Sequence, residues 1–122
     1  MTQPYLAPKR RFGQHFLEVT WVNKVLAAIK PKATDLILEI GPGRGALTFP
    51  LATQVKKILA IEIDRVLAKA IRLSAGDTIE TIQADVLEVD LKSITTRLRG
   101  KNGLIRVVGN LPYNISAPIL LR

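Results

Sequence analysis

A parallel α/β sheet with helices on both faces is the fold this sequence predicts, and three observations predict it. Four short apolar runs stand between turn residues: DLILEI at 35–40, ILAIEID at 58–64, a run at 81–84 inside TIETIQADVL, and LIRVVGN at 104–110. The stretches between these runs carry helical periodicity, and strand alternating with helix is the signature of a parallel, helix-covered sheet. The length of 122 residues and the 48% apolar content suit one globular domain.

Taken in order, residues 1–19 hold Pro4, Pro8 and the basic trio Lys9, Arg10 and Arg11 before FGQHFL, and read as an irregular basic arm ahead of a domain at 20–122. Thr20 is placed to cap a helix whose apolar positions Val22, Val25, Leu26 and Ile29 share one face, and Pro31 ends it. The first strand, 35–40, runs into Gly41-Pro42-Gly43-Arg44-Gly45. Ala46 to about Lys57 reads as a helix that tolerates Pro50 close to its first turn. The second strand is followed by a helix over 65–73 with apolar Val66, Leu67, Ala70 and Ile71, then by the Gly76-Asp77 turn and the third strand. Residues 91–99 form a short basic helix and 100–103 a turn before strand four. The chain stops at Arg122, so it reads as a sheet truncated after its fourth strand. The far edge of LIRVVG is then expected to lie open, and the piece alone to be poorly stable and inactive.

Composition narrows the function. A net charge of +8 favours an anionic partner, nucleic acid before membrane surface. Zero cysteines exclude disulfides and thiolate metal sites, and a single histidine offers no cluster, so no metal is expected. The N-terminus lacks the unbroken apolar core of a signal peptide, and no run nears the roughly 20 apolar residues that span a bilayer. A cytoplasmic monomer is the expectation, although an acid-free, Arg-bearing start also fits a transit peptide.

Four markers carry chemistry. A Gly-rich turn between strand and helix lets a ligand approach the backbone, which makes Gly41 and Gly43 candidates; its G-x-G-x-G spacing equally suits a tight structural turn. Glu62 ends strand two, where a carboxylate can take both hydroxyls of a ribose or simply face water. Asp85 follows strand three and could accept from an adenine amino group. Together they favour an adenosine-containing cofactor at the C-terminal strand edge. The fourth marker is Asn110-Leu111-Pro112-Tyr113. An exocyclic base amine is a poor nucleophile because its lone pair is delocalised into the ring. The Asn110 side chain and the Leu111 carbonyl could accept its two N–H bonds, Pro112 could stiffen the turn, and Tyr113 could stack on an extruded base. A plain strand-to-loop turn with Tyr113 in the core is the other reading.

The motifs FGQHFL, LEIGPGRGALT, AIEIDR, QADVLEVD and VVGNLPYNISAPIL, in this order and spacing, resemble the ribosomal RNA adenine dimethyltransferase family. The resemblance covers nearly the whole chain and implies a Rossmann-like domain that transfers methyl groups from S-adenosylmethionine to N6 of adenine. The likeness is strongest to the small-subunit, kasugamycin-resistance branch, which dimethylates two adjacent adenines in a hairpin loop of 16S rRNA. It implies that His15, Leu17, Gly41, Glu62, Asp85 and Asn110 contact the cofactor, with Glu62 on the ribose and Asp85 on the adenine. It further implies that Asn110, Leu111 and Tyr113 grip the target base. Lys9, Arg10 and Arg11 would meet RNA phosphates. The rivals are the macrolide-resistance branch, which modifies 23S rRNA, and a non-catalytic RNA-binding assembly module. Family members continue for more than 100 residues past the last motif, with further strands and a small helical domain.

Overall fold

β-Branched residues and leucines in the strands build a sheet apolar on both faces. The computed structural model describes residues 12–99, 104–109 and 118–121, with side chains for 18–98 and 104–109. The strands are β1 (Leu36–Ile40), β2 (Lys57–Glu62), β3 (Ile79–Gln83), β4 (Ile105–Gly109) and β5 (Pro118–Leu121), in the order β3-β2-β1-β4-β5. β1 to β4 are parallel, as predicted. Successive residues of β1 serve opposite faces. Ile37 joins Ile58, Ala60 and Val108 under the helices α1 (Phe12–Ile29), α2 (Thr48–Ala52) and α3 (Arg65–Ser74), which contribute Val22, Ile29, Leu51 and Ile71. Leu38 joins Leu59, Ile61 and Ile105 under α4 (Leu91–Arg99), which contributes Leu91, Ile94 and Leu98. The strand sequence moves outward from β1 to β3 and resumes on the other side of β1 with β4. The gap beyond the C-terminal ends of β1 and β4 is therefore a topological switch point, where open α/β sheets bind ligands.

The structure departs from the sequence reading in four places. α1 begins at Phe12, so part of the stretch expected as an irregular arm is helical; no proline lies between Pro8 and Pro31 to stop the helix from continuing upstream of Thr20. The packing face is still Val22, Val25, Leu26 and Ile29. α2 is much shorter than the expected 46–57: Thr53 Oγ1 and the Thr53 amide both bond back to the Pro50 carbonyl, and the chain then turns to start β2 at Lys57. On α3 the buried residues are Ala68 and Ile71, whereas Val66 is 75% exposed. Lastly, the sheet does not end at its fourth strand. β5 pairs antiparallel with β4, from Ile105 opposite Leu121 to Val108 opposite Pro118, so the edge expected to lie open has a neighbour. Pro118 costs no ladder bond because it is the first residue of its strand.

One polar cluster ties the N-terminal end of the sheet to α1. The Arg106 guanidinium of β4 pairs with Asp35 at 3.0 Å and donates a second bond to the Ile29 carbonyl, one of the last of α1. The same Asp35 carboxylate accepts from the Lys32 amide at 2.8 Å, and the Asp35 carbonyl accepts from the Lys56 amide at 2.9 Å. Both charges are largely shielded, with side chains 21% and 15% exposed. Replacing Arg106 by Leu should therefore cost about 1–3 kcal/mol, because a shielded carboxylate and a helix-end carbonyl lose their partner together. Urea unfolding checks this; a change below about 0.5 kcal/mol would place the pair among the weak surface bridges.

Candidate functional site

Three glycines with positive φ shape the turn after β1: Gly41 (71°), Gly43 (61°) and Gly45 (87°). The Gly41 amide donates to the Ile61 carbonyl at 2.9 Å, extending the β1–β2 ladder, and the Gly45 amide donates to the Pro42 carbonyl at 2.9 Å, closing the turn. Gly43 and Gly45 then differ sharply. A Cβ on Gly45 would lie 2.4 Å from the Phe49 ring, whereas a Cβ on Gly43 would meet nothing within 4 Å. Gly45 is glycine for packing, and Gly43 presents its backbone to open space.

Glu62 ends β2 at the same edge and is only 5% exposed. Its Oε1 accepts from the Gly43 amide at 2.9 Å and its Oε2 from the Asp64 amide at 2.9 Å, so one carboxylate joins the glycine turn to the β2–α3 turn. An ionised carboxylate offers about four acceptor sites, which leaves capacity for a diol. The Glu62 carbonyl accepts from the Ala84 amide at 3.0 Å, tying in the end of β3. Asp85 comes next in the chain, and its Oδ1 accepts from the Leu87 amide at 2.9 Å, capping a 3-10 turn over Val86–Glu88. Gln83 Nε2 donates to the Ile63 carbonyl at 2.9 Å and holds the two turns together. The structure thus brings Gly41, Gly43, Glu62 and Asp85 to one edge of the sheet. Of the other expected site residues, His15 and Leu17 fall in α1 with their side chains outside the described set. Lys9, Arg10, Arg11, Asn110, Leu111, Pro112 and Tyr113 lie outside the described residues altogether. β4 ends at Gly109, in register with Ile40, one residue before Asn110 in the sequence.

Sequence reasoning missed two features of this edge. Ile63 and Leu87, which follow Glu62 and Asp85, are 60% and 89% exposed, and apolar groups flanking two acceptors suit a flat heterocycle. Glu39 is a carboxylate in the buried strand LILEI, 1% exposed, on the same face as Glu62. Thr48 Oγ1 donates to its Oε1 at 2.6 Å. Burial pushes Glu39 up from 4.5 to about 7; the Thr48 bond opposes that shift and the Glu62 charge adds to it. An acid in the middle of an apolar strand was the available signal. Among the described residues no group of His, Cys, Asp and Glu could hold a metal, and no described helix is long and apolar enough to cross a membrane.

Two predictions follow from this geometry. Gly45→Ala should destabilise the fold by about 2–5 kcal/mol, adding the left-handed backbone cost to overpacking against Phe49. Gly43→Ala should cost only about 1–2 kcal/mol while weakening any ligand that lies on that backbone; thermal melts that rank the two variants the other way would refute the division of roles. Glu39 adds a pH dependence to stability. Its folded-state value is raised, so its contribution to stability is full below about 4.5 and is lost as pH rises through about 7. The loss is on the order of 3 kcal/mol. Glu39→Gln should flatten the urea midpoint across that window, and a variant that keeps the wild-type slope would clear Glu39 of the effect.

Residues 6–122 match the family described as ribosomal RNA adenine dimethylase. Ribosomal RNA small subunit methyltransferase A of Variovorax paradoxus (strain S110) is 46% identical over 113 residues, which are 92% of this chain and 42% of that protein. This chain therefore spans less than half the length of that relative. Among solved structures, 23S rRNA methyltransferase ErmE superposes with a TM-score of 0.54 at 24% identity, over 77% of this chain and 47% of its own. Haemonchus contortus phosphoethanolamine N-methyltransferase 1, in complex with phosphoethanolamine and S-adenosylhomocysteine, gives a TM-score of 0.59 at 13% identity, over 88% of this chain and 30% of its own. These two likenesses show a shared fold. The family match runs through the glycine turn, Glu62 and Asp85 alike, and this chain belongs to the ribosomal RNA adenine dimethylase family.

Proposed function

We propose that this chain forms the cofactor-binding part of an enzyme that transfers methyl groups from S-adenosylmethionine to N6 of two adjacent adenines in a 16S rRNA hairpin loop. It would act on the small ribosomal subunit, as a monomer in the cytoplasm. The observation that carries the reading is the switch point: the glycine turn leaves β1 beside the end of β4, which stops at Gly109, one residue before Asn110-Leu111-Pro112-Tyr113 in the sequence. The donor set fits the cofactor: open backbone at Gly43, a shielded carboxylate at Glu62 for a ribose diol, an acceptor at Asp85, and exposed apolar groups at Ile63 and Leu87 for a base. Bound S-adenosylmethionine supplies a methyl group activated by its sulfonium.

The residues of the chain then orient rather than deprotonate. Glu62 and Asp85 fix the adenosine end, and His15, Leu17 and Gly41 complete the contact. Asn110 and the Leu111 carbonyl accept the two N–H bonds of the target amine and let its lone pair localise on nitrogen, Pro112 restricts the turn, and Tyr113 stacks on the extruded base. Lys9, Arg10 and Arg11 contact phosphates. The relative's name, a small subunit methyltransferase, supports 16S rRNA as substrate.

In the full-length protein, Glu62→Gln should weaken S-adenosylmethionine binding about 10- to 100-fold by calorimetry, the equivalent of a charge-assisted hydrogen bond. Tyr113→Ala should instead depress turnover far more than cofactor affinity, since stacking worth roughly 1–3 kcal/mol acts only on the base. A radiolabelled methyl-transfer assay on undermethylated small subunits, with 23S rRNA as the competing substrate, tests the whole reading; preferential labelling of 23S rRNA overturns the substrate assignment.

A further inference from the structure

α3 carries three cations, Arg65, Lys69 and Arg72, and no acid between Arg65 and Ser74. The i, i+4, i+7 spacing puts all three on one helical face, spread over about 10 Å of axis. That is comparable to a Debye length of ~10 Å at 0.1 M salt, so they act on a nearby anion together. All three are exposed. Their face borders β3, an edge strand of the sheet, and helix and strand enclose an open groove of about 670 Å³. The strand side of the groove is uncharged, made by Thr81, Ile82 and Gln83. Glu80, the acid of β3, serves the other face of the sheet, where it pairs with Arg97 at 3.0 Å. Asp64, the acid adjoining Arg65, is engaged in capping α3 through the Leu67 amide at 3.0 Å. Arg72 leans across the groove to the Thr81 carbonyl at 3.4 Å, which uses one of its five N–H donors.

A groove walled by three cations and, among the described residues, lined by no acid, on a chain of net charge +8, suits a polyanion. The groove begins three residues past Glu62, at the ligand edge, and runs down the side of the sheet away from β4. We infer that it is a track for the RNA backbone, with phosphates on Arg65, Lys69 and Arg72, in addition to whatever the chain does to the target base. The inference rests on the RNA reading above. An acidic protein is the competing occupant, and Val66 and Leu73, 75% and 77% exposed, are the groups such a partner would use.

The test measures affinity of the chain for an unstructured RNA oligonucleotide and for undermethylated small subunits across a potassium chloride series. The triple variant R65Q/K69Q/R72Q should lower the log–log salt slope by about 2–3, at roughly 0.7–0.9 per lost phosphate contact. The variant K24Q/K32Q/K92Q, which removes the same charge from exposed positions elsewhere, should lower it much less, and S-adenosylmethionine affinity should stay within about twofold in both. Equal losses in the two triples, an unchanged slope in the first, or tighter binding of poly-aspartate than of RNA each overturns the track. If the triple variant folds poorly, Lys69→Gln alone should still remove roughly 0.7–0.9 from the slope. A wild-type chain that binds S-adenosylmethionine but no RNA sinks the track and spares the cofactor site; one that binds RNA but no cofactor does the reverse.

Discussion

The Glu62 carboxylate, held between the amides of Gly43 and Asp64, is the contact on which the ligand edge depends. Three positive-φ glycines within five residues give the turn wide backbone freedom. One shielded anion fixes it from the neighbouring strand and at the same time sets the entry into α3. The carboxylate that would bind a diol is thus also the group that shapes the surface on which the diol would lie. Removing its charge affects both: a glutamine there keeps one acceptor oxygen and sets its NH2 against the other backbone N–H.

Glu39 stands behind this arrangement as a second buried acid on the same face. It reaches α2 through Thr48, while Glu62 reaches the turn that precedes α2. Burial is the main cause of the raised Glu39 value; the Thr48 hydroxyl opposes it, and the Glu62 charge adds the smallest part. The ligand edge is therefore backed by an acid that changes state near neutrality. A cationic ligand arriving at this edge would favour the ionised form of Glu39.

Much of the architecture was readable from periodicity, because β1, β2 and β4 are largely apolar and show as short apolar runs between turn residues. The C-terminal strand positions of Gly41, Glu62 and Asp85 followed from where those runs stop. The errors have local causes. Thr20 looks like a cap because threonine often is one, but its neighbours on both sides continue the helical pattern. Val66 looks like core because it is apolar, yet only the angular position of Ala68 and Ile71 faces the sheet. Glu39 was passed over because a charge in an apolar run reads as noise until a partner such as Thr48 is found. Arg106 and Asp35 lie far apart in sequence, and no local pattern announces that they meet.

The strand order also divides the molecule by sequence distance. β1, β2 and β3 are successive neighbours, so the glycine turn, Glu62 and Asp85 are assembled by contacts between adjoining segments. β4 must return across the whole of that unit to pair with β1. Closing long loops costs chain entropy before any contact compensates it, and such pairings form late. The part that suits a nucleoside is therefore built from neighbours in sequence, whereas the crevice beside β1 comes into being only when β4, the last parallel strand, takes its place.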